Sequence, residues 1–114
     1  KLTATEDVAE AAKNRVQQGV EIVVVSMGKH GAVAATKDEV WHAVPPSVET
    51  ISTIGSGDSM VAGIAAAIAR GETLAQALAL GSAAGAATAM SSGVEMGKRA
   101  DIDRLLPNVI LKRM

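Results

Sequence analysis

The sequence contains no cysteine, no phenylalanine and no tyrosine among its 114 residues, and Trp41 is its only tryptophan. The lack of cysteine excludes disulfides and thiolate metal sites, and it is typical of a protein in the reducing cytoplasm. Apolar residues make up 48% of the chain but aromatic residues only 1%, so Ala, Val, Ile, Leu and Met must build the interior. Complete domains usually fill their centres with some large rings, so this deficit favours part of a larger fold over the alternative of a complete, alanine-rich domain.

The chain also lacks an excess of either charge. Its formal net charge is -1, and acidic and basic residues are scattered along it. No basic field exists to hold a nucleic acid or an anionic membrane, and we expect neither as a partner. The first seven residues lack the apolar core of a signal peptide and do not begin with Met. We therefore expect an internal start and a cytoplasmic location.

One uncharged stretch, residues 73–94, raises the question of a membrane helix because Gly81 and Gly85 have the spacing of packed membrane helices. Five polar side chains interrupt it, and each opposes insertion into lipid: Gln76, Ser82, Thr88, Ser91 and Ser92. We predict a soluble helix that packs closely against a neighbour. A membrane-associated helical pair over residues 59–94 is the rival hypothesis.

The first half of the chain predicts a helix, a strand and a hairpin. Helical spacing covers residues 4–18 and ends at Gly19, which suits a left-handed helix stop. The consecutive β-branched residues of Glu21–Ser26 predict a strand of a parallel sheet, covered on both faces. Two short strands, Ala32–Thr36 and Val40–Val44, follow as a hairpin that ends at Pro45 and Pro46.

The second half predicts three helices. A glycine-rich turn opens directly into a helix over Gly57–Arg70. Thr73 and Gln76 have capping-box spacing and begin a second helix that runs to about Met90. Asp101 can cap a last short helix that reaches Leu106, so we expect the chain to end in a helical cluster packed on the sheet.

The turn Gly55-Ser56-Gly57-Asp58 carries the strongest chemical signal. Two glycines let backbone N–H groups converge at a helix start, where the helix dipole adds positive potential, and this geometry binds phosphoryl groups. Asp58 would repel a phosphate unless it faces an acceptor hydroxyl and takes its proton. The alternative is that Asp58 only favours the helix start electrostatically.

Other motifs for nucleotides and metals do not fit. A dinucleotide fingerprint needs glycine where Met60 stands, and a Walker A loop needs Ser or Thr after the Gly-Lys pairs at 28–29 and 97–98. His30 and His42 have no cysteine or carboxylate pattern beside them. We predict no metal site among the protein's own side chains.

The segment Ser52–Gly63 resembles the carboxy-terminal signature of the ribokinase-like, or pfkB-type, carbohydrate kinases. Residues 24–32 are similar to that family's strand and glycine turn beside the nucleotide, and residues 81–87 to its small-residue helix near the adenine. The resemblance implies an α/β fold of three layers, α/β/α, of which residues 1–114 are the carboxy-terminal, nucleotide-binding part. The sugar-binding part and the lid would precede Lys1.

Details of the signature resemble one branch of that family. This chain has Ser52-Thr53 where the family usually has Asp-Thr, and residues 58–61 are similar to kinases of phosphorylated ketohexoses. The paired prolines at 45–46 resemble B-type 6-phosphofructokinase most. Fructose-1-phosphate kinase and tagatose-6-phosphate kinase stay open as alternatives, as does a nucleotide-binding module without catalysis.

The resemblance also implies roles for particular residues. Asp58 would be the catalytic base, while the N–H groups of Gly55, Ser56 and Gly57 would hold the γ-phosphoryl group of ATP. The ATP site would have three sides, formed by Ser26, Gly28 and Gly31, by Thr53 and Ile54, and by Ser82 and Gly85. Each of these has a structural alternative, since a serine can end a strand and a glycine can allow helix packing.

Further ligands and partners follow from the same resemblance. Mg²⁺ would arrive with ATP, and a monovalent cation such as K⁺ would bind near Ser52, Ile54 and residues 91–93. The whole kinase would be a homodimer.

Overall fold

A computed structural model describes residues 5–27, 30–48, 55–90 and 99–114. These residues form helices on both sides of a small sheet. The helices are α1 (Thr5–Gln17), α2 (Ser56–Ala69), α3 (Leu74–Ala89) and α4 (Arg99–Leu105), the last followed by a 3₁₀ turn at Leu106–Asn108; the strands are β1 (Val23–Ser26), β2 (Ala32–Ala35), β3 (Val40–Val44) and β4 (Ile110–Arg113).

The four described strands form one sheet in the order β1-β2-β3-β4, and every neighbouring pair is antiparallel. Ala34 lies opposite both Val24 and Trp41, which fixes the register of the first three strands. The predicted hairpin is confirmed as β2 and β3. The ladder of β3 ends at Val44, immediately before the two prolines.

The predicted parallel strand over Glu21–Ser26 needs correction. The structure has a shorter β1 that pairs antiparallel with β2, and its valines are half-buried while Ser26 is exposed. The predicted parallel direction and the predicted burial on both faces are therefore wrong for β1 as it pairs with β2. Consecutive β-branched residues report strand propensity and some burial, but they carry no information about the direction of a neighbouring strand.

Strand β2 separates two hydrophobic clusters because its side chains alternate between the faces of the sheet. Ala32 and Ala34 belong to one cluster, and Val33 and Ala35 to the other. Helix α1 covers the Val33 face with Val8, Ala9 and Ala12. Helices α2 and α3 cover the opposite face through Ile64, Ala67, Leu74, Ala77 and Leu78. This arrangement is an α/β/α layering, and the predicted fold class is confirmed.

Glycines end the first two helices. Gly19 has φ 107°, and its N–H donates to the Val16 carbonyl at 3.0 Å while Val20 N–H reaches the Arg15 carbonyl at 3.4 Å. This bond pattern is a Schellman helix end, so the predicted stop at Gly19 is confirmed. Gly71, which the sequence did not single out, ends α2 in the same way with φ 80°.

The start of α3 is the capping box that the sequence predicted. Gln76 N–H donates to the Thr73 hydroxyl at 3.1 Å, and Thr73 N–H donates to the Gln76 side-chain oxygen at 2.9 Å. Within the described segments, no helix combines the length and apolar character needed to cross a membrane.

The carboxyl end differs from the prediction in two ways. Asp101 lies inside α4, where it accepts a bond from Arg104 at 3.3 Å, and is not its cap. The chain ends in β4, which pairs with β3, rather than in a helical cluster. Strand β4 is short and mostly exposed, with only Leu111 packed against the core, so its apolar pattern is too weak to predict.

Candidate active site

The site predicted at Gly55–Asp58 is the first turn of α2. Gly55 precedes the helix with φ 81° and ψ −7°, a left-handed conformation that favours glycine. The N–H of Ser59 donates to the Gly55 carbonyl at 2.9 Å. The N–H groups of Ser56, Gly57 and Asp58 come before this first intrahelical donor and so have no partner within the helix. Unlike the start of α3, this helix start has no side-chain cap. These donors suit an anion.

Gly57 and Asp58 face outward. Both are exposed, and a Cβ atom added to Gly57 would meet no other atom within 4 Å. Asp58 is the acidic residue of this first turn, and none of the ion pairs in the described segments involves it. An exposed carboxylate beside backbone N–H donors can accept a proton from one group while the donors hold another.

Helix α3 packs so closely against α2 that the two backbones approach each other at glycine positions. A Cβ atom added to Gly63 would lie 3.0 Å from Gly81 Cα, and one added to Gly81 would lie 2.6 Å from Ile64 Cγ1. A Cβ atom on Gly85 would lie 3.2 Å from the Ser56 carbonyl oxygen. The predicted close helix packing is confirmed, and it accounts for Gly85 without a ligand.

Two buried hydroxyl groups lie on these helices without a hydrogen-bond partner in the part of the chain that the structure describes. They belong to Ser56, in the first turn of α2, and Ser82, which is 4% exposed on α3. Leaving a buried hydroxyl unpaired costs roughly 1–3 kcal/mol. Packing therefore gives no reason for a hydroxyl at Ser82, and its predicted place in the ATP site remains a prediction.

Two further buried hydroxyl groups are hydrogen-bonded to each other, and neither was identified from the sequence. Ser59 Oγ lies 2.7 Å from Thr88 Oγ1, and both residues are buried. The signal was present, because Thr88 is the one polar residue between Gly85 and Met90.

The predicted residues near the β1–β2 turn form a separate group. Ser26 is exposed at the end of β1 and pairs with Ala32, next to Gly31. Gly31 has φ 92°, and a Cβ atom there would overlap the carbonyl group of Ala43, at 2.9 Å from its carbon. Contact with β3 thus explains Gly31 structurally.

Both histidines belong to this region. His42 Nε2 donates to the His30 carbonyl oxygen at 2.9 Å, which ties the turn to β3. Across residues 5–27, 30–48, 55–90 and 99–114, no three His, Asp or Glu side chains converge to hold a metal ion. Predicted site residues Gly28, Thr53 and Ile54 lie outside these ranges, as does the region predicted for K⁺.

A shallow cavity of about 350 Å³ lies between α1 and the β2–β3 hairpin, away from the predicted site residues. Its lining is charged and mixed in sign, with Lys13, Lys37 and Arg113 beside Asp38 and Glu39. Cavity shape alone would therefore not have found the first turn of α2.

The structure places helices on both sides of the sheet, and Asp58 follows a glycine-containing turn at the start of a helix. The profile of the pfkB family carbohydrate kinases matches residues 1–99 of this chain. The chain belongs to that family.

Curated relatives are phosphofructokinases of two kinds. The chain is 37% identical to a 1-phosphofructokinase of Bacillus subtilis over 113 residues, which are 99% of this chain and 37% of the relative. It is 34% identical to ATP-dependent 6-phosphofructokinase isozyme 2 of Escherichia coli over 105 residues, or 91% of this chain and 34% of the relative. The chain thus spans about a third of the length of these relatives.

Solved structures of phosphofructokinase-2 from E. coli share the fold. In complex with substrates and products, and also with potassium, that enzyme matches with a TM-score of 0.89 and 33% identity over 95% of this chain and 35% of its own. Its tetrameric inhibited form matches with a TM-score of 0.81, 33% identity, and coverage of 95% and 34%.

Proposed function

We propose that this chain is the carboxy-terminal, nucleotide-binding part of an ATP-dependent phosphofructose kinase. One observation carries the proposal: exposed Asp58 lies in an uncapped first helical turn whose Gly57 faces open space. Membership of the pfkB family supports it. Asp58 is then the catalytic base, and the N–H groups of Gly55, Ser56 and Gly57 bind the phosphoryl group in transfer.

The proposed reaction needs both halves of this turn. Asp58 takes the proton of the sugar hydroxyl while the hydroxyl oxygen attacks the γ-phosphorus of ATP. The bond between the γ-phosphorus and the bridging oxygen breaks, and ADP leaves with that oxygen. In the transition state, negative charge is spread over the equatorial oxygens of the transferred group, where the N–H donors and the positive end of α2 stabilise it. Mg²⁺ bound to ATP belongs to the substrate in this scheme.

For the nucleotide site we propose the remaining predicted residues. Ser82 and Gly85 lie on the helix that packs against the first turn of α2, and Gly85 contacts it directly. Ser26 and Gly31 lie at the end of the β1–β2 hairpin and would form another side of the site, with Gly28, Thr53 and Ile54. We also propose that the whole kinase binds a K⁺ ion, forms a homodimer and is located in the cytoplasm.

We propose fructose 6-phosphate as the acceptor, because the signature with Ser52-Thr53 resembles kinases of phosphorylated ketohexoses and the paired prolines resemble those of B-type 6-phosphofructokinase most. Fructose 1-phosphate is a second candidate, since the B. subtilis 1-phosphofructokinase is the more similar of the two relatives named above. The residues that distinguish these sugars belong, by family resemblance, to the part that precedes Lys1.

A direct assay tests the proposal. The full-length protein that contains this chain is incubated with ATP and, in turn, fructose 6-phosphate, fructose 1-phosphate and tagatose 6-phosphate. We expect rapid turnover of fructose 6-phosphate. ATP binding without turnover of any sugar would favour a non-catalytic nucleotide-binding module, and preference for fructose 1-phosphate would establish the second candidate.

The chain of 114 residues provides a matched control. Because phosphoryl transfer depends on holding the acceptor in line, we expect no sugar phosphorylation from this chain alone, although it binds ATP weakly. Strand β1 lies at the edge of the described sheet, and Val20 and Ile22 just before it are exposed, so light scattering should show self-association. Turnover by a monomer of this chain would contradict our account of where the sugar binds.

A further inference from the structure

The residue after Asp58 is fixed from inside the protein. Asp58 is exposed, whereas Ser59 is only 3% exposed. Ser59 Oγ lies 2.7 Å from Thr88 Oγ1 of α3, and Thr88 is 1% exposed. The proposed base thus has a buried neighbour that is bonded to another helix.

Thr88 is bonded to one end of the segment that carries Asp58 and lies beside the other end. Its hydroxyl meets Ser59, and its methyl carbon Cγ2 lies 3.7 Å from where a Cβ of Gly55 would be. Gly55 and Ser59 are the residues joined by the first intrahelical bond, at 2.9 Å. A single side chain of α3 therefore lies against the first and last residues of this turn.

This turn needs external support. The first turn of a helix lacks the backbone bonds of later turns, and glycine at 55 and 57 adds conformational freedom. Space-filling alone does not require hydroxyls at this contact, because valine has nearly the shape of threonine and alanine fills most of the volume of serine. A bond between two buried hydroxyls instead fixes direction.

We propose that Thr88 is a positioning residue for Asp58. Its bond to Ser59 and its position beside Gly55 set the orientation of the first turn of α2, and so the direction of the Asp58 carboxylate. The inference rests on the proposed function, in which Asp58 accepts the proton. Thr88 itself does not touch the substrates in this account.

The main test compares three variants of the full-length protein with the unaltered protein. Thr88→Val keeps the shape and removes the hydroxyl, and we expect kcat to fall about tenfold because small misplacements of a catalytic group are costly. The KM for ATP should stay within about twofold, because the backbone donors remain. Thr88→Ser keeps the hydroxyl and should recover most of the kcat.

Thr73→Ala is the matched control for stability. It removes another threonine hydroxyl bond of α3, but at the opposite end of the helix, about 22 Å away at 1.5 Å per residue. Thr73→Ala should lower the melting temperature and leave kcat unchanged. If it lowers kcat as much as Thr88→Val does, lost stability explains the effect and the positioning role is wrong.

A second measurement does not depend on activity. Hydrogen exchange of the Ser59 amide, which is bonded to Gly55, reports on closure of the turn. We expect this amide to exchange about tenfold faster in Thr88→Val and in Ser59→Ala, at unchanged exchange in the middle of α3. If the amide of residue 59 exchanges at its normal rate in the variants that fold, the proposal is wrong. Two variants are used so that one can be measured if the other folds poorly.

The two levels of inference fail differently. No turnover by the unaltered protein would overturn the proposed function. Normal turnover that Thr88→Val leaves intact would overturn the positioning role alone.

Discussion

Two of the glycine turns in the described part of the chain differ in what surrounds them. At the β1–β2 turn, Gly31 has φ 92° and its missing Cβ position overlaps the backbone of Ala43. At the start of α2, Gly57 has no atom within 4 Å of its missing Cβ position. Packing requires the first glycine, and the described contacts place no demand on the second.

We use this difference as a criterion for ranking candidate ligand-binding glycines. Gly19 and Gly71 also have open Cβ positions, but their positive φ gives each a structural reason that Gly57 lacks. An open glycine beside an exposed carboxylate has space for a ligand, whereas a glycine pressed against a neighbouring strand does not. By this criterion Gly57 is a stronger candidate for phosphate contact than Gly31. The predictions below test that ranking, beginning with the largest expected effect.

Gly31→Ala should destabilise the protein by about 4 kcal/mol or more, because the methyl group combines a strained φ with a backbone overlap that no rotamer can relieve. Urea denaturation of the full-length protein measures the loss. Gly19→Ala is the matched control, since Gly19 also has positive φ but nothing within 4 Å of its Cβ position. Its cost should be only about 1–2 kcal/mol. Equal losses would mean that the contact with Ala43 is easily relieved.

Asp58→Asn should lower turnover about a hundredfold or more, because the amide keeps the shape of the side chain but cannot take the proton. The affinity for ATP should barely change. Steady-state kinetics and nucleotide titration measure the two quantities. Asp38→Asn, in the exposed hairpin turn, is the control and should leave both unchanged. Near-normal turnover of Asp58→Asn would remove this residue from the mechanism.

Gly57→Val should reduce kcat/KM for ATP about tenfold or more, because the branched side chain enters the space proposed for phosphate. Its free energy of unfolding should change by less than about 1 kcal/mol, since no described atom lies near that position. The substitution should weaken the binding of adenosine less than it weakens the binding of ATP. A collapse of stability with equal loss of both ligands would make Gly57 structural, like Gly31.

His42→Ala should destabilise the protein by about 1 kcal/mol, because it removes the hydrogen bond from Nε2 to the His30 carbonyl that ties the β1–β2 turn to β3. His30→Ala keeps that carbonyl and should change stability by less than about 0.5 kcal/mol. Thermal denaturation distinguishes them. A larger loss for His30→Ala would show that its imidazole has a role of its own.

Local signals in the sequence predicted the fold where local chemistry decides it. The capping residues Thr73 and Gln76, and the stop at Gly19, act within one helical turn, and the structure confirms them. Strand β4 was missed because it is held by pairing with β3 rather than by its own pattern. The direction of β1 was wrong for a similar reason, since pairing depends on residues distant in sequence.

The candidate site was predictable to a different extent. The turn at Gly55–Asp58 was found because its composition is unusual at a helix start, and the structure does place it there. Ser59 and Thr88 are 29 positions apart, and only packing of α2 on α3 joins them. The roles of the site residues remain predictions for the variants above.

The contact between Gly63 and Gly81 has a mechanical consequence. Where side chains separate two helices, changes of rotamer can absorb a small displacement of one helix before the other responds. Here a Cβ on Gly63 would lie 3.0 Å from the Cα of Gly81, so no side chain separates the two helix backbones at this point. We therefore expect a displacement of α3 to move α2 with it, including the start of α2 that carries Asp58.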